Sequence, residues 1–360
     1  MGRSEGKIQG ACENAIAKAV LSWFDPAARP MAWREKRDPY RIWISEVMLQ
    51  QTTVAAVAPY YRRFLDAFPS VESLARASLD NVLKAWEGLG YYARARNLHA
   101  AARILVADRG GRLPETVEEL VTLPGIGRST AGAIAAIAFG RDAPVLDSNV
   151  KRVVARLFGI EEDLARADVQ RTLWDLSGRL VLPGRGRETA LAFMDLGGLV
   201  CTPRKPDCPA CPAKRHCRAR RSGKEEAIPF KPARAKRPRF VVAIPIIEDG
   251  RGRVLIGRRT DDDLLGGLWA FPGGKARDGE TLEGAAHRIA VEKTGLSVEV
   301  FGPIGSVDHG YSHYAVTLHG YRCRRRNGRL RPKGAWRWTR PERLRDYPFV
   351  LSNRKLAALL

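Results

Sequence analysis

No apolar run among the 360 residues approaches the ~20 that a membrane span requires. The opening residues, Met1-Gly2-Arg3-Ser4-Glu5-Gly6-Lys7, lack the apolar centre of a secretory signal. An intracellular protein, cytoplasmic and associated with the nucleoid, is therefore expected, with no membrane partner. Acidic residues are in deficit, 39 Asp and Glu against 61 Lys and Arg, a formal net charge of +22. That imbalance points to a polyanionic partner rather than an acidic or neutral one. Cysteine is sparse as well. Four of the six crowd into residues 201–217, while Cys12 and Cys323 read as plain thiols. Disulfides are not expected in a reducing compartment, so the crowded four call for a metal.

The chain is long enough for two domains with separate cores. Its most informative stretch is Leu123-Pro124-Gly125-Ile126-Gly127-Arg128-Ser129-Thr130, followed by an Ala-rich apolar helix and then Leu146-Asp147-Ser148-Asn149-Val150-Lys151-Arg152. Pro124 restrains the turn, and Gly125 and Gly127 let main-chain N–H groups approach an anion. The following helix begins at Ser129 and Thr130, so its positive end faces the same anion. Asp147 lies just beyond that helix, beside Asn149 and two cations. Taken alone, Gly-x-Gly before a helix also fits an ordinary helical turn.

Helices are expected over residues 12–24, 42–53, 60–68, 71–76, 79–87, 97–108, 117–121, 150–158, 169–180 and 187–200, with Asp168 as an N-cap. Between the first two lies an Arg- and Pro-rich loop that contains Arg34. The helix Ile42-Trp43-Ile44-Ser45-Glu46-Val47-Met48-Leu49 is apolar except for Ser45 and one carboxylate. Burial of Glu46 would raise its pKa toward that of a neutral-pH general acid, whereas a solvated stripe would leave it ordinary. Gln50-Gln51-Thr52-Thr53 reads as groups able to address base edges or as a polar helix end. In Gly88-Leu89-Gly90-Tyr91-Tyr92 the glycines would let Leu89 or Tyr91 wedge between bases; a plain helix–helix turn is the other reading.

The cysteines are spaced Cys201-x6-Cys208-x2-Cys211-x5-Cys217 with four interleaved prolines. Four thiolates in one loop suit a [4Fe–4S] cluster or structural zinc. Residues 201–239 carry 13 Lys and Arg against 3 acids, and 221–238 read as a basic linker. From residue 239 the pattern turns to strands, 240–247 and 253–259, then a Gly-rich loop and a helix near 281–294. Asp308-His309-Gly310-Tyr311-Ser312-His313-Tyr314 marks a later turn. Residues 321–345 hold 11 Lys and Arg against Glu342 alone, with Trp336 and Trp338 interleaved, a second candidate nucleic-acid surface.

The Leu-Pro-Gly-Ile-Gly hairpin followed by Asp147, the segment Ser45-Glu46-Val47-Met48-Leu49-Gln50-Gln51-Thr52, the Gly-Leu-Gly-Tyr-Tyr turn and the x6-x2-x5 cysteine loop occur in the order of one family. The chain resembles the MutY-type adenine DNA glycosylases of the endonuclease III superfamily over residues 12–358. The resemblance implies a multi-domain protein. An all-α helix-hairpin-helix glycosylase domain spans 10–220 with an iron–sulfur loop at 201–217, and an α+β Nudix-like 8-oxoguanine-recognition domain spans 239–360. It further implies excision of adenine mispaired with 8-oxoguanine or guanine in duplex DNA, by a monomer holding a [4Fe–4S] cluster on Cys201, Cys208, Cys211 and Cys217. Zinc remains the alternative metal.

The same resemblance assigns roles. Glu46 protonates N7 of a flipped adenine, Asp147 stabilises the cationic sugar or captures it, and Asn149 and Arg34 orient them. Gln51, Thr52, Leu89 and Tyr91 enter the duplex around 8-oxoguanine, Gly125, Gly127 and Ser129 hold phosphate, and Ser312 and His313 complete recognition. Two departures stand out. Asp-Ser-Asn replaces the family's Asp-Gly-Asn, so an unusual backbone angle is expected at Ser148. Ser129 stands where lyases of the superfamily carry an imine-forming lysine, so a monofunctional glycosylase is expected. In the Nudix motif Gly274, Glu280, Arg288 and Gly295 fit, but Ile289 and Lys293 replace two acids and leave Glu292, which argues against hydrolase activity. The competing readings are an endonuclease III-like pyrimidine glycosylase/lyase, a non-catalytic iron–sulfur DNA-binding protein and an active Nudix hydrolase.

Overall fold

The computed structural model describes residues 2–360 except 231, 233–236, 261, 262, 264, 312 and 332–334, with side chains from residue 10 onward. The chain divides into two compact units, Met1–Ala75 with Ala100–Ala233, and Arg76–His99 with Arg234–Leu360. Residues 76–99, expected within the first domain, thus cluster with the C-terminal part of the chain.

The first unit is helical. Its elements are α1 (Gly2–Trp23), α2 (Pro39–Leu49), α3 (Val54–Ala67) and α4 (Val71–Arg76), the last ending at the unit boundary. After α5 (Leu79–Ala85) of the second unit, α6 (Ala93–Arg109) leads back into the first. There α7 (Val117–Leu120), α8 (Arg128–Phe139), α9 (Ser148–Phe158), α10 (Ala167–Arg179), α11 (Gly186–Asp195) and α12 (Arg218–Arg221) follow. Their ends follow local chemistry. Asp38 caps α2 by accepting from Arg41 N–H at 3.2 Å, with Pro39 in the first turn. Asp168 is not a cap as expected but lies in the first turn of α10, whose N-cap is Arg166, and pairs with that arginine.

Helix α8 is central because it is built of small residues. Ala131 to Ala138 are all buried, which lets α2 and α11 approach closely. Gly132 shows how closely, since a Cβ there would stand 2.2 Å from the carbonyl oxygen of Pro144. The opposing α2 face, Ile42, Trp43, Ile44 and Met48, is almost fully buried, each side chain contributing about 1.5–3 kcal/mol. The helix expected over residues 187–200 breaks. After α11 a π-turn, Leu196–Val200, carries the chain into the cysteine loop through Gly197 and Gly198.

The second unit holds a sheet of β1 (Arg239–Glu248), β2 (Val254–Arg258), β3 (Trp269–Ala270), β4 (Gly274–Lys275), β5 (Leu296–Gly310), β6 (Ala315–Gly328) and β7 (Ala335–Thr339). The order is β3-β2-β1-β6-β5, with β4 on β1 and β7 on β2. Strands β1 and β6 run parallel, and the other pairs are antiparallel. Helix α13 (Leu282–Thr294), capped by Thr281, packs on the sheet, and α14 (Leu351–Ala357) lies against β5 and β6. No described helix is long and apolar enough to cross a membrane.

Two glycines in helices should respond oppositely to alanine. At Gly132 the clash is with backbone, so Gly132→Ala should cost about 2 kcal/mol or more. At Gly178, in α10, a Cβ meets nothing within 4 Å, so Gly178→Ala should gain about 0.5–1 kcal/mol. Urea unfolding of both variants checks the signs.

Candidate active site

A cleft of about 990 Å³ opens in the helical unit, walled by the C-terminal half of α2, the hairpin before α8, the start of α9 and one face of α11. Its walls include Arg34, Glu46, Gln51, Thr52, Gly125, Gly127, Ser129, Asp147 and Asn149. The resemblance scattered these residues over about 115 positions of sequence, and the fold gathers them.

Glu46 projects from α2 between buried neighbours and is itself half-buried. Loss of water pushes its carboxyl up to about 7; the charge of Asp147 adds to the rise and that of Arg34 opposes it. Near neutral pH it therefore carries a proton for part of the time. The sequence left open whether this carboxylate lay on a solvated stripe; the fold puts it in the cleft.

Asp147 is the N-cap of α9, accepting the Val150 N–H at 2.7 Å. Burial raises its pKa, while the Val150 and Asn149 N–H groups, Arg152 and the Asn149 side chain oppose that rise. Here the helix end supplies donors to the anion, and Glu46 has no such set. Burial raises both carboxyls, but only Asp147 has helix-start donors that counter part of the rise. The expected strain at Ser148 does not occur. Asp147 is extended (φ −75°), Ser148 opens α9, and the non-glycine residues with positive φ are elsewhere, at Gln51, Tyr91 and Lys205. The helix start accommodates a side chain, so glycine is not needed.

Asn149 is fixed rather than free. Its Oδ1 accepts from Arg152 Nη2 at 2.9 Å, and Gly197 lies so close that a Cβ there would be 2.7 Å from Asn149 Cβ. Arg152 also donates to Gly197 O at 2.7 Å and Cys201 O at 2.8 Å. The two cations next to Asp147 in sequence therefore diverge. Lys151 lines the cleft, and Arg152 turns inward toward the cysteine loop.

Arg34 is held by Asp195, with Nη1 to Oδ2 at 2.6 Å and Nη2 to Oδ1 at 2.9 Å, and Arg29 joins the same carboxylate at 2.9 Å. Asp195 is almost fully buried and was not singled out from the sequence, although an acid ending an apolar helix next to Gly-Gly is the available signal. It sets where Arg34 stands.

At the hairpin, Gly125 has φ +78° and is exposed, while Gly127 is extended and caps α8 without a side-chain bond, leaving that helix end open. Gln50, not named above as a site residue, ties α2 to this turn by donating to Gly125 O (3.2 Å) and Thr130 Oγ1 (3.0 Å). Gln51 is exposed with φ +55°, a backbone that non-glycine residues rarely adopt outside functional sites.

The four cysteines of the loop line one small cavity with Arg156, Lys214 and Glu225. Arg156 is 2% exposed and directs Nη1 at Cys201 Sγ (3.3 Å) and Thr202 O (2.7 Å); its Nη2 is buried without a hydrogen-bond partner. A buried guanidinium with an orphaned nitrogen beside four thiols fits an anionic metal–thiolate group. Among the described residues, no three His, Cys, Asp or Glu side chains converge closely enough for a single ion.

In the second unit, Leu89 is buried at 7% exposure, whereas Tyr91 is exposed with φ +50°. Leu89 accordingly presents little surface here as a wedge. His313 is exposed, and Ser312 lies outside the described residues. Tyr311 packs inward, its ring 4.6 Å from His309 and 4.8 Å from Tyr314. In the Nudix-like motif, Ile289 is core, Glu280 and Glu292 both pair with Arg288, and Glu280 is held down to about 2 by that arginine.

Comparison with known proteins agrees with this arrangement. Residues 44–179 match the HhH-GPD superfamily of base excision DNA repair proteins, and 243–359 match the NUDIX domain. The chain is 34% identical to the human adenine DNA glycosylase, covering 85% of this chain and 66% of that protein's length. It is 32% identical to the adenine DNA glycosylase of Buchnera aphidicola subsp. Acyrthosiphon pisum, covering 84% and 85%. A thermostable thymine-DNA glycosylase structure superposes with a TM-score of 0.54 at 30% identity, covering 59% of this chain and 99% of that one. The chain belongs to the adenine DNA glycosylase family, a helical base excision repair fold joined to a Nudix-like unit.

Proposed function

We propose that this DNA N-glycosylase removes adenine paired with 8-oxoguanine, or with guanine, from duplex DNA, acting as a monomer. The observation that carries the mechanism is the pair of carboxylates in one cleft, Glu46 raised to about 7 and Asp147 on a helix N-terminus. Glu46 donates its proton to N7 of an adenine turned out of the duplex, so the base leaves as a neutral molecule. Asp147, ionised, faces the positive charge that develops on the sugar, and water completes the hydrolysis. Asn149 and Arg34 hold these groups in place, and the open hairpin at Gly125, Gly127 and Ser129 receives phosphate. Gln51, Thr52 and the exposed Tyr91 address the duplex, Leu89 being buried, with Ser312 and His313 reading the opposite base.

Cys201, Cys208, Cys211 and Cys217 are proposed to hold a [4Fe–4S] cluster, which when bound cross-links the loop through iron–thiolate bonds. The orphaned Arg156 nitrogen beside the four thiols supports an anionic metal–thiolate group, and the family-like spacing of the cysteines favours the cluster over zinc. Ser129 offers no amine for lyase chemistry. Lys151 is on the cleft wall, so a strand nicked without alkali would implicate it.

Glu46→Gln should reduce single-turnover adenine release by roughly 10²–10⁴-fold. The wild-type product strand should be alkali-labile yet unnicked, and release that survives the substitution would overturn the role of Glu46. The release rate should fall as pH rises through about 7, because the protonated form of Glu46 is the competent one, and fall again in acid as Asp147 takes up a proton. The same ionisation costs stability. Since the folded pKa is raised, stability is lost as pH rises through about 7, and Glu46→Gln should gain up to about 3 kcal/mol at pH 8 but little at pH 5. For the loop, elemental analysis of the purified protein should give four iron atoms per chain; one zinc would select the alternative.

A further inference from the structure

Helix α14 makes hydrogen bonds at neighbouring positions to two separate turns of the second unit. Ser352, 1% exposed, meets the Tyr311 hydroxyl at 3.1 Å, and Tyr311 opens the turn between β5 and β6. Two positions on, Arg354 forms an ion pair with Glu87, the residue just before the Gly88–Tyr92 turn. Arg354 is itself fixed, donating to Leu344 O (3.3 Å) and Tyr347 O (2.7 Å) with its guanidinium 5.5 Å from the Phe349 ring centre. Asn353, between them, accepts the Phe271 N–H at 3.0 Å.

The 88–92 turn is stiff at its own level. Trp86 Nε1 donates to Gly90 O at 3.0 Å, Gly88 N–H to the Tyr92 hydroxyl at 3.1 Å, and Arg94 to Gly90 O at 3.1 Å. Its flanks are anchored as well. Asp80 receives Trp269 Nε1 (3.3 Å) and pairs with Arg258 (3.1 Å), and Arg96 donates to Gly266 O (2.7 Å). A rigid turn held at both flanks moves with whatever holds it.

We infer that Arg354 is a positioning residue for recognition of the base opposite the adenine: through Glu87 it sets the 88–92 turn in register with the Tyr311 turn. The inference rests on the proposed function, in which both turns address the duplex around 8-oxoguanine. The ion pair is the contact best suited to this task. It joins the two turns through one short helix whose three successive polar residues are all engaged, and neither partner has another role in the cleft chemistry. Lys84, 2.6 Å from Glu87, holds the acid in place without reaching the helix. A guanidinium fixed by two carbonyls presents its remaining N–H in one direction, so the glutamate is located to within hydrogen-bond tolerance.

The test uses the full-length protein with Glu87→Gln, Arg354→Lys and the double variant. Single-turnover adenine release is measured opposite 8-oxoguanine and opposite guanine, with thermal melting as the folding control. Each single substitution should leave release opposite guanine near wild type and shrink the preference for 8-oxoguanine by roughly tenfold. The double variant should lose no more than the larger single loss, because both remove the same contact. Unchanged preference in both singles, equal losses on the two substrates, or losses that multiply in the double variant would each overturn the inference. A wild-type protein that releases no adenine from either duplex would instead overturn the function on which the inference rests.

Discussion

Two carboxylates cannot both shed water in one cleft and both stay charged. The helical unit is organised around that constraint. Glu46 comes from the body of α2, where intrahelical bonds occupy the backbone N–H groups, so nothing nearby compensates its charge except Arg34. Asp147 sits on the first turn of α9, where unpaired N–H groups point at it. The difference between a helix middle and a helix start is therefore what gives the two carboxyls unequal support for a negative charge. Asp195 completes the arrangement by gripping Arg34 and Arg29, and Arg34 is the charge that opposes the rise of the Glu46 pKa.

The same α9 that starts at Asp147 reaches the thiol cavity within its own length. Arg152 and Arg156 are one turn apart, both buried, and both spend donors on the loop that follows α11. Burying two guanidiniums is costly unless carbonyls and an anion receive them. Cys201 O, Gly197 O, Thr202 O and Ile228 O do so here, Cys201 Sγ receives Arg156 Nη1 as well, and Arg156 Nη2 is left unpaired. Of these, Gly197 O belongs to the π-turn at 196–200. The cysteine loop is thus continuous with the support of Asp147 and Asn149, and its order bears on the cleft.

Much of the first unit was legible because its signals are local. The hairpin, the apolar helix carrying Glu46 and the cysteine spacing each occupy one short stretch; the helix forms as Pro39–Leu49, ending before the expected residue 53, and Thr53 caps the next one. What escaped the sequence was relational. Asp195 looks like any acid at a helix end until Arg34 is brought to it over 161 positions. Gln50 and Gln51 are indistinguishable as neighbouring amides, yet the end of α2 turns one into the hairpin and leaves the other exposed at positive φ. Ser148 was expected to strain the chain because a glycine usually stands there, but the backbone at that point is already helical. Leu89 was read as a wedge from its flanking glycines, and those glycines equally allow the leucine to fold inward.

The Nudix-like unit shows how the acids of its motif are held when one motif position is apolar. With Ile289 in the core, nothing at that position can bind a cation, and Glu280 and Glu292 share Arg288 as a partner. Arg288 bonds both Glu280 oxygens at 2.6 Å and reaches Glu292 at 2.9 Å, while Arg277 takes the second oxygen of Glu292. These contacts form a salt-bridge network that ties Lys275 O to α13. A pinned loop is a poor catalyst and a good platform. The parts of this unit left to present side chains are its turns, and α14 is the element that keeps two of them in fixed relation.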